Sequence, residues 1–375
     1  MFHLVFGIPW LVVVVRFVLP LPWHSAWKIT VAIILLVASQ YHLVSRLSSG
    51  SVFAPEFPRP LVIAFNFLMG ATILLALLQI GLDIVSLAIA AFTWQFPVIP
   101  PDVRYVIGGL AVVLAAFGVY QAIRVPPVKG VEIGIPGLPE AFDGYRMVQL
   151  TDLHISRLFD ARWAEAVVTR TNALDADLIV MTGDLIDGST EHRKHDVLPI
   201  AKLTARDGVY ATPGNHEYFF DYAAWMREYE RLDLSPLLNS HVVIRRGDAE
   251  LVIAGVTDRS ARHFGATAPD LPKALEGVPA GAPIILLDHQ PMMAARAADA
   301  NVALQLSGHT HGGMVAGLAR LVARGNNGFV SGLYLVGTMR LYVNNGTGLW
   351  PGFALRLGTL PELTCITLRS TQTKQ

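Results

Sequence analysis

Five short polar motifs recur along the C-terminal two-thirds of this 375-residue chain. They read Asp152-Leu153-His154, Gly183-Asp184-Leu185-Ile186-Asp187, Gly214-Asn215-His216-Glu217, Asp288-His289 and Gly308-His309-Thr310-His311-Gly312. Each follows an apolar run of strand character, which places each on the loop leaving a strand. Together they offer three carboxylate, amide or imidazole ligands for each of two metal ions, one shared carboxylate and one spare histidine. Asp152 and His154 are two apart, so on an extended exit their side chains share a face. Asp184 stands beside Gly183, and Asn215 and His216 follow Pro213-Gly214, where the backbone can turn tightly. Oxygen and imidazole ligation without thiolate suits Mn2+, Fe2+ or Zn2+ better than Ca2+. One aspartate bridging two ions holds them about 3.5–4 Å apart, and such a pair activates water and clamps an in-line displacement at phosphorus.

The elements that must position these groups are legible as alternating runs. The soluble part opens on Tyr145 to Leu150, and strand-like runs recur at 177–181, 208–212, 251–256, 283–287 and 302–306. Helical patterns at 160–173, 190–205 and 220–232 lie between the early ones. Closely spaced strands at 333–336, 340–344 and 363–368 follow, which together predict an α/β sandwich. Ligands leaving several strand ends converge on the carboxyl edge of a sheet, the usual place for a site in open α/β folds.

The first third is different. Residues 1–125 hold nine charged side chains, leaving 23 basic and 26 acidic residues for the rest. Four apolar stretches, at about 2–20, 28–47, 61–82 and 104–123, each approach the roughly 20 residues a helix needs to cross a bilayer. Trp10, Trp23, Trp27 and Trp94 fall near their ends, as an aromatic belt would place them. The first stretch carries Arg16 and lacks a basic start and a small-residue cleavage site, so it is expected to be retained. The apolar stretch 84–96 is left open between an extension of the third span, an interfacial segment and a re-entrant turn. The expected organisation is a membrane domain over 1–124 with about four spans, a Pro- and Gly-rich linker over 125–144, and a catalytic domain over 145–370. With the N-terminus inside, Arg46, Arg59, Arg124 and Lys129 face Lys28 and Arg104 across the membrane, which favours a cytoplasmic catalytic domain. No basic stripe is present to collect nucleic-acid phosphates. The single cysteine, Cys365, permits no intrachain disulfide and reads as a small core residue.

The series Asp-x-His, Gly-Asp-x-x-Asp, Gly-Asn-His-Glu, His and Gly-His-x-His over 145–368 resembles the calcineurin-like metallophosphoesterases, closest to their bacterial membrane-associated branch. The resemblance implies a β-sandwich flanked by helices, joined here to N-terminal transmembrane helices, in a bacterial inner membrane. It implies two divalent ions, one held by Asp152, His154 and His311, the other by Asn215, His289 and His309, with Asp184 bridging. It further implies direct attack on phosphorus by a metal-bound hydroxide, with His216 contacting the phosphate or protonating the leaving oxygen. The expected substrate is a phosphorylated small molecule or lipid, cleaved at a phosphoester or pyrophosphate bond. Met314 departs from the glutamine often found there, which touches no ligand. Arg356, in a region resembling the branch's closing segment, is read either as a phosphate contact or as an exposed structural arginine.

Other residues carry blander expectations. Asp187 and Asp258 are read as supporting groups behind the ligands, and Glu217 as orienting His216 or capping a turn. His192, His195, His241 and His263 receive no role. There is no Gly-x-Ser-x-Gly elbow and no P-loop. The rival expectation is a non-hydrolytic metal-binding membrane sensor or transport-associated protein, supported only by Asp83 and Asn66 in or beside a span; these polar groups are read more simply as an interface marker and a helix–helix hydrogen bond.

Overall fold

The computed structural model describes residues 2–371, so Met1, the start of the expected membrane domain, falls outside it. The chain forms two compact units: Met1–Ile123 with Pro351–Leu357, and Arg124–Trp350 with Gly358–Gln375.

The first unit is helical because its sequence is apolar over long, nearly charge-free runs. It comprises α1 (Phe2–Val12, continued by a π-helical stretch Val13–Val18), α2 (Ser25–Ser39), α3 (Tyr41–Ser49), α4 (Arg59–Thr93) and α5 (Pro101–Ile123). By length and composition α4 and α5 can each cross a membrane, and α2 with α3 can do so as one span bent by 52°, which gives two or three spans among the described residues where four were expected. Val5–Val18 is a shorter apolar helix. The stretch 84–96 largely extends the third span, since α4 runs 35 residues to Thr93 and ends where Trp94 turns left-handed. At a rise of about 1.5 Å per residue that is roughly 52 Å, well beyond a hydrocarbon core of about 30 Å.

Two polar groups inside this unit, Asp83 and Asn66, are paired. The Arg16 guanidinium donates to both Asp83 carboxylate oxygens at 3.0 Å, and Gln79 donates to the same carboxylate at 2.8 Å. Asn66 clasps the returning segment Pro351–Leu357. Its Nδ2 donates to Pro351 O at 2.9 Å and its Oδ1 accepts from Ala354 N at 2.6 Å, while Tyr41 OH donates to the same Pro351 carbonyl at 2.9 Å. Leu355 of that segment fills the space that Gly70 and Gly118 leave, with a Cβ at Gly118 lying 2.6 Å from Leu355 Cδ1.

The second unit holds the strands β1 (Val128–Pro136), β2 (Arg146–Leu150), β3 (Leu178–Thr182), β4 (Val209–Thr212), β5 (Ser235–Pro236), β6 (Ser240–Arg246), β7 (Ala249–Gly255), β8 (Ile284–Leu287), β9 (Leu304–Ser307), β10 (Gly332–Val336), β11 (Met339–Val343) and β12 (Leu363–Thr371). They form two six-stranded sheets, in the orders β1-β12-β2-β3-β4-β5 and β10-β11-β9-β8-β7-β6. One core joins them: Met147, Leu178, Val180 and Ile366 from the first sheet with Ile253, Ile285, Leu287, Leu304 and Leu306 from the second. The alternate residues of β7, β8 and β11 (Val252, Ala254, Ile284, Leu286, Leu341) form a second core with Ala294 and Ala297 of the helix Ala294–Asp299. Period-2 alternation between two apolar faces is what leaves these strands buried throughout.

Several elements differ from the sequence expectation. The stretch 125–144, expected as a linker, contributes β1, which pairs in parallel with β12 from Val128↔Leu363 to Pro136↔Thr371. The single helix expected at 190–205 is instead a short turn Thr190–Arg193 and a 3-10 segment Leu198–Lys202. Pro199 in its first turn has no N–H to continue an α-helix from 194–197. The strand β6 pairs with β7 as a hairpin around Gly247.

Replacing Asn66 by leucine keeps volume but strands Ala354 N and leaves Pro351 O with the Tyr41 hydroxyl alone. We expect a destabilisation of about 1–3 kcal/mol, the usual cost of leaving buried polar groups unpaired, read as a lower melting temperature of the full chain in nanodiscs; an unchanged melting temperature would show that the clasp is energetically idle.

Candidate metal centre

Five strand ends carry the site. Asp152 and His154 follow β2, Asp184 follows β3, Asn215 opens the short helix after β4, His289 follows β8, and His309 and His311 follow β9. β2, β3 and β4 are parallel neighbours in one sheet, as are β8 and β9 in the other. Their carboxyl ends therefore meet along one edge of the sandwich. The loops leave the strands in left-handed backbone: φ is +52° at Asp152, +48° at His154, +53° at Asp184, +69° at His309 and +48° at His311. Such conformations cost about 1–3 kcal/mol each for residues with a Cβ, though Asp and His tolerate them better than most. Gly183 (φ +86°) and Gly214 are required for a different reason, close approach. A Cβ at Gly183 would lie 2.6 Å from His289 Nδ1, and one at Gly214 would lie 2.2 Å from Asp184 Oδ1.

Three overlapping triads of donor atoms meet here: Asp152, His154 and His311; His154, Asp184 and His216; and Asp184, His289 and His309, with the ligand atoms of each group within 4.8 Å of one another. The first and third hold residues read as ligands, and the second links them through His154 and Asp184. His154 Nε2 lies 3.3 Å from His311 Nε2 and 3.8 Å from Asp184 Oδ2. His311 Nε2 is 3.5 Å from Asp152 Oδ1. On the other side His289 Nε2 is 3.2 Å from both Asp184 Oδ2 and Asn215 Oδ1. Seven residues named from the motifs are thus brought together, and Asp184 reaches both groups.

The partners behind the imidazoles fix which nitrogen faces inward. His154 Nδ1 donates to Asp187 Oδ2 at 3.0 Å, and His289 Nδ1 donates to Thr182 O at 2.7 Å. Each Nε2 then presents a lone pair to the cluster, as a metal ligand must. Lone pairs and carboxylate oxygens facing one another inside a buried site repel; divalent cations between them convert that repulsion into attraction. The donor set fits two such ions.

Asp187 also accepts from His216 Nδ1, leaving His216 Nε2 directed at the cluster, 3.9 Å from Asp184 Oδ2. Burial pulls the His216 imidazole down, but Asp184 and Asp187 outweigh it and leave its pKa raised to about 9. For Asp288 burial dominates, and with the neighbouring Asp258 carboxylate it lifts the pKa to about 7. Asp258 accepts from Gln290 Nε2 at 3.1 and 3.0 Å and from Ser260 N at 2.7 Å.

Glu217 has a larger part than the sequence suggested. Fully buried, it accepts from Gly214 N (2.6 Å), Asp184 N (3.2 Å), Leu185 N (2.8 Å) and Tyr229 OH (2.9 Å). One carboxylate thereby holds both the Asp184 loop and the turn before Asn215. Its spacing three residues past the cap was the available signal; the reach to 184–185 was not. Thr151 was missed altogether: its hydroxyl donates to Asp152 Oδ2 at 2.7 Å. Nor did the sequence show that the loop Asn344–Gly348 backs the site, although a Cβ at Gly346 would meet His311 Nδ1 at 2.8 Å. Arg356 is buried rather than exposed and groups with the helical unit, its backbone N–H donating to Gly118 O at 2.9 Å. The triads are complete without it.

Comparison with known proteins places these residues in context. Residues 145–313 match the family described as calcineurin-like phosphoesterase. A zebrafish (Danio rerio) transmembrane protein with metallophosphoesterase domain is 34% identical over 269 residues, covering 69% of this chain and 61% of that protein. Its bovine (Bos taurus) counterpart is 36% identical over 270 residues, 69% of this chain and 60% of that protein. The uncharacterized metallophosphoesterase YkuE of Bacillus subtilis is 31% identical over 245 residues, 62% of this chain and 82% of that protein. The chain therefore spans about three-fifths of the length of the two vertebrate relatives.

Changing Glu217 to glutamine keeps its shape but turns an amide NH2 toward backbone donors. Hydrogen bonds to a charged group contribute about 1.5–3 kcal/mol each. We expect a melting temperature lower by several degrees together with reduced bound metal after equilibration with Mn2+; full metal content at wild-type stability would rule out the positioning role.

Proposed function

The chain belongs to the calcineurin-like phosphoesterase family, and from that premise we propose that it is a membrane-anchored, two-metal phosphohydrolase. The observation that carries this reading is Asp184 shared by two of three overlapping triads of inward-facing donors. We assign Asp152, His154 and His311 to one ion, Asn215, His289 and His309 to the other, and Asp184 to both. The bond cleaved is a phosphoester or pyrophosphate bond. Two divalent ions, when bound, supply Lewis acidity at the phosphoryl oxygens and acidify the attacking water. Mn2+, Fe2+ and Zn2+ all suit the oxygen and nitrogen donor set.

The remaining work belongs to the chain's own groups. The water oxygen forms a bond to phosphorus as the bond from phosphorus to the leaving oxygen breaks. His216, with Nδ1 held by Asp187, keeps Nε2 for the substrate and delivers a proton to that leaving oxygen. Asp187 holds His216 and His154 at once, so acid and ligand are kept in one geometry. Arg356, buried in the helical unit, is left out of this assignment. The apolar helices α4 and α5 support a membrane location, and Arg124 and Lys129, the basic residues that follow α5 in the chain, favour a catalytic unit in the cytoplasm of a bacterial cell. A phosphorylated lipid or lipid precursor is the substrate class that such anchoring serves.

Purified full chain with Mn2+ is expected to hydrolyse a chromogenic phosphodiester, and Asp184→Asn to lose at least about a hundredfold, since bridging two ions is worth several kcal/mol. Chelation should abolish turnover and lower the melting temperature, with Mn2+ restoring both; turnover that survives both Asp184→Asn and chelation would sink the two-metal reading. For His216→Asn the expected loss is about 10²–10⁴-fold with an alkoxide leaving group and much smaller with p-nitrophenolate, which leaves without a proton. Equal losses on the two leaving groups would remove His216 from the acid role.

A further inference from the structure

Beside the metal cluster lies a second concavity that the hydrolytic reading does not use. It is a cleft of about 790 Å³ whose lining begins at Asp288, the residue before His289. Its wall is apolar, built from Leu286 of β8, from Leu271 and Leu275, and from the helix Ala294–Asp299. Clefts of roughly 300–1,000 Å³ with apolar walls and a few convergent polar groups are the usual form of small-ligand sites. Two guanidinium groups in the lining, Arg262 and Arg296, are neither hydrogen-bonded nor ion-paired among the described residues. Of the three aspartates in the same lining, Asp288 is buried, Asp270 is occupied in capping the helix Leu271–Ala274, accepting from Lys273 N at 3.1 Å, and Asp299 is exposed.

One segment connects cleft and cluster. Arg259–Phe264 is a 3-10 turn begun by Asp258, which Gln290 ties to the loop carrying His289. Its Arg259 and Arg262 line the cleft. Its Phe264 packs on Phe219 at 5.8 Å between ring centroids, and Phe219 in turn lies 5.0 Å from the ring of His216. Two aromatic rings thus connect the segment that lines the cleft to the ring of His216.

We infer that this cleft binds the leaving-group half of the substrate, an alkyl chain laid along Leu271, Leu275 and Leu286 with an anionic group held by Arg262 and Arg296. The inference rests on the hydrolase reading for the word substrate, but the cleft's ligand chemistry does not. A diphosphate monoester with an alkyl chain fits both halves. Its terminal phosphorus takes the water oxygen, the P–O–P bridge breaks, and inorganic phosphate leaves the cluster. The alkyl phosphate takes the proton on the former bridging oxygen and departs from the cleft. Each methylene removed from water along the wall strengthens binding by a factor of about four (roughly 0.8 kcal/mol per methylene).

The test uses the full chain in nanodiscs with Mn2+ and two substrates, octyl and methyl diphosphate, and measures binding of octyl phosphate to the Asp184→Asn protein by calorimetry against empty nanodiscs. The expected results are a kcat/KM at least tenfold higher for octyl than for methyl diphosphate, and a collapse of that ratio by at least tenfold in Leu275→Trp, which fills the wall. Octyl phosphate is expected to bind Asp184→Asn at one site and at least tenfold more weakly when Arg262→Ala and Arg296→Ala are added, two surface changes that leave the core intact. Octyl phosphate binding by Asp184→Asn with no cleavage of either diphosphate or of the chromogenic phosphodiester by wild type would overturn the hydrolase reading and leave the cleft standing. Cleavage of both at the same kcat/KM, with Leu275→Trp and the arginine changes without effect, would overturn the cleft and leave the hydrolase reading in place.

Discussion

Everything in the catalytic unit depends on one unfavourable crowding: Asp152 and Asp184, buried to within 2% of full enclosure, among four imidazoles whose lone pairs face the same points. Charges taken out of water are costly unless compensated. No lysine or arginine side chain hydrogen-bonds or ion-pairs with either carboxylate among the described residues; what surrounds them is backbone N–H, threonine hydroxyl and histidine. That arrangement suits mobile divalent cations, which bring the missing charge and can also engage a phosphoryl oxygen.

The crowding is held in place by a shell of carboxylates and backbone groups that never face the substrate. Glu217 collects four donors from two loops and a helix, and Asp187 collects two imidazoles. Both are buried anions sustained by directed donors, the condition under which buried charge is tolerated. Left-handed backbone at five site residues is the accompanying strain, offset by the core that the two sheets share. Strain of this kind persists only where the surrounding structure over-determines it, and two interlocked six-stranded sheets provide that.

The helical unit obeys the same rule in a different solvent. In an apolar bundle, polar side chains survive by pairing. Asp83 is matched by Arg16 and Gln79, and Asn66 by backbone groups of the segment Pro351–Leu357. Both polar groups that invited a transport reading are accounted for by hydrogen bonds within their own unit, so the rival expectation of a membrane sensor loses the only residues that supported it.

Local sequence carried much of this. Apolar runs of four or five residues ending in Gly-Asp, Gly-Asn-His or Gly-His located the strand ends and the metal donors, because a strand buried on both faces must be continuously apolar and a tight exit beside a ligand demands glycine. Long uncharged runs located α4 and α5, because a helix in hydrocarbon cannot carry many charges. What local sequence could not express was pairing between segments far apart in the chain. That Val128–Pro136 is an edge strand depends on β12, more than 200 residues later. That Glu217 holds the Asp184 loop, that Arg16 finds Asp83, and that Pro351–Leu357 belongs with the helices are likewise contacts between distant residues. Side-chain type and spacing determine which groups can bind a metal. Only the folded chain decides which buried donors meet, because the cost of an unpaired polar group is settled by whichever partner the tertiary structure brings within hydrogen-bond distance.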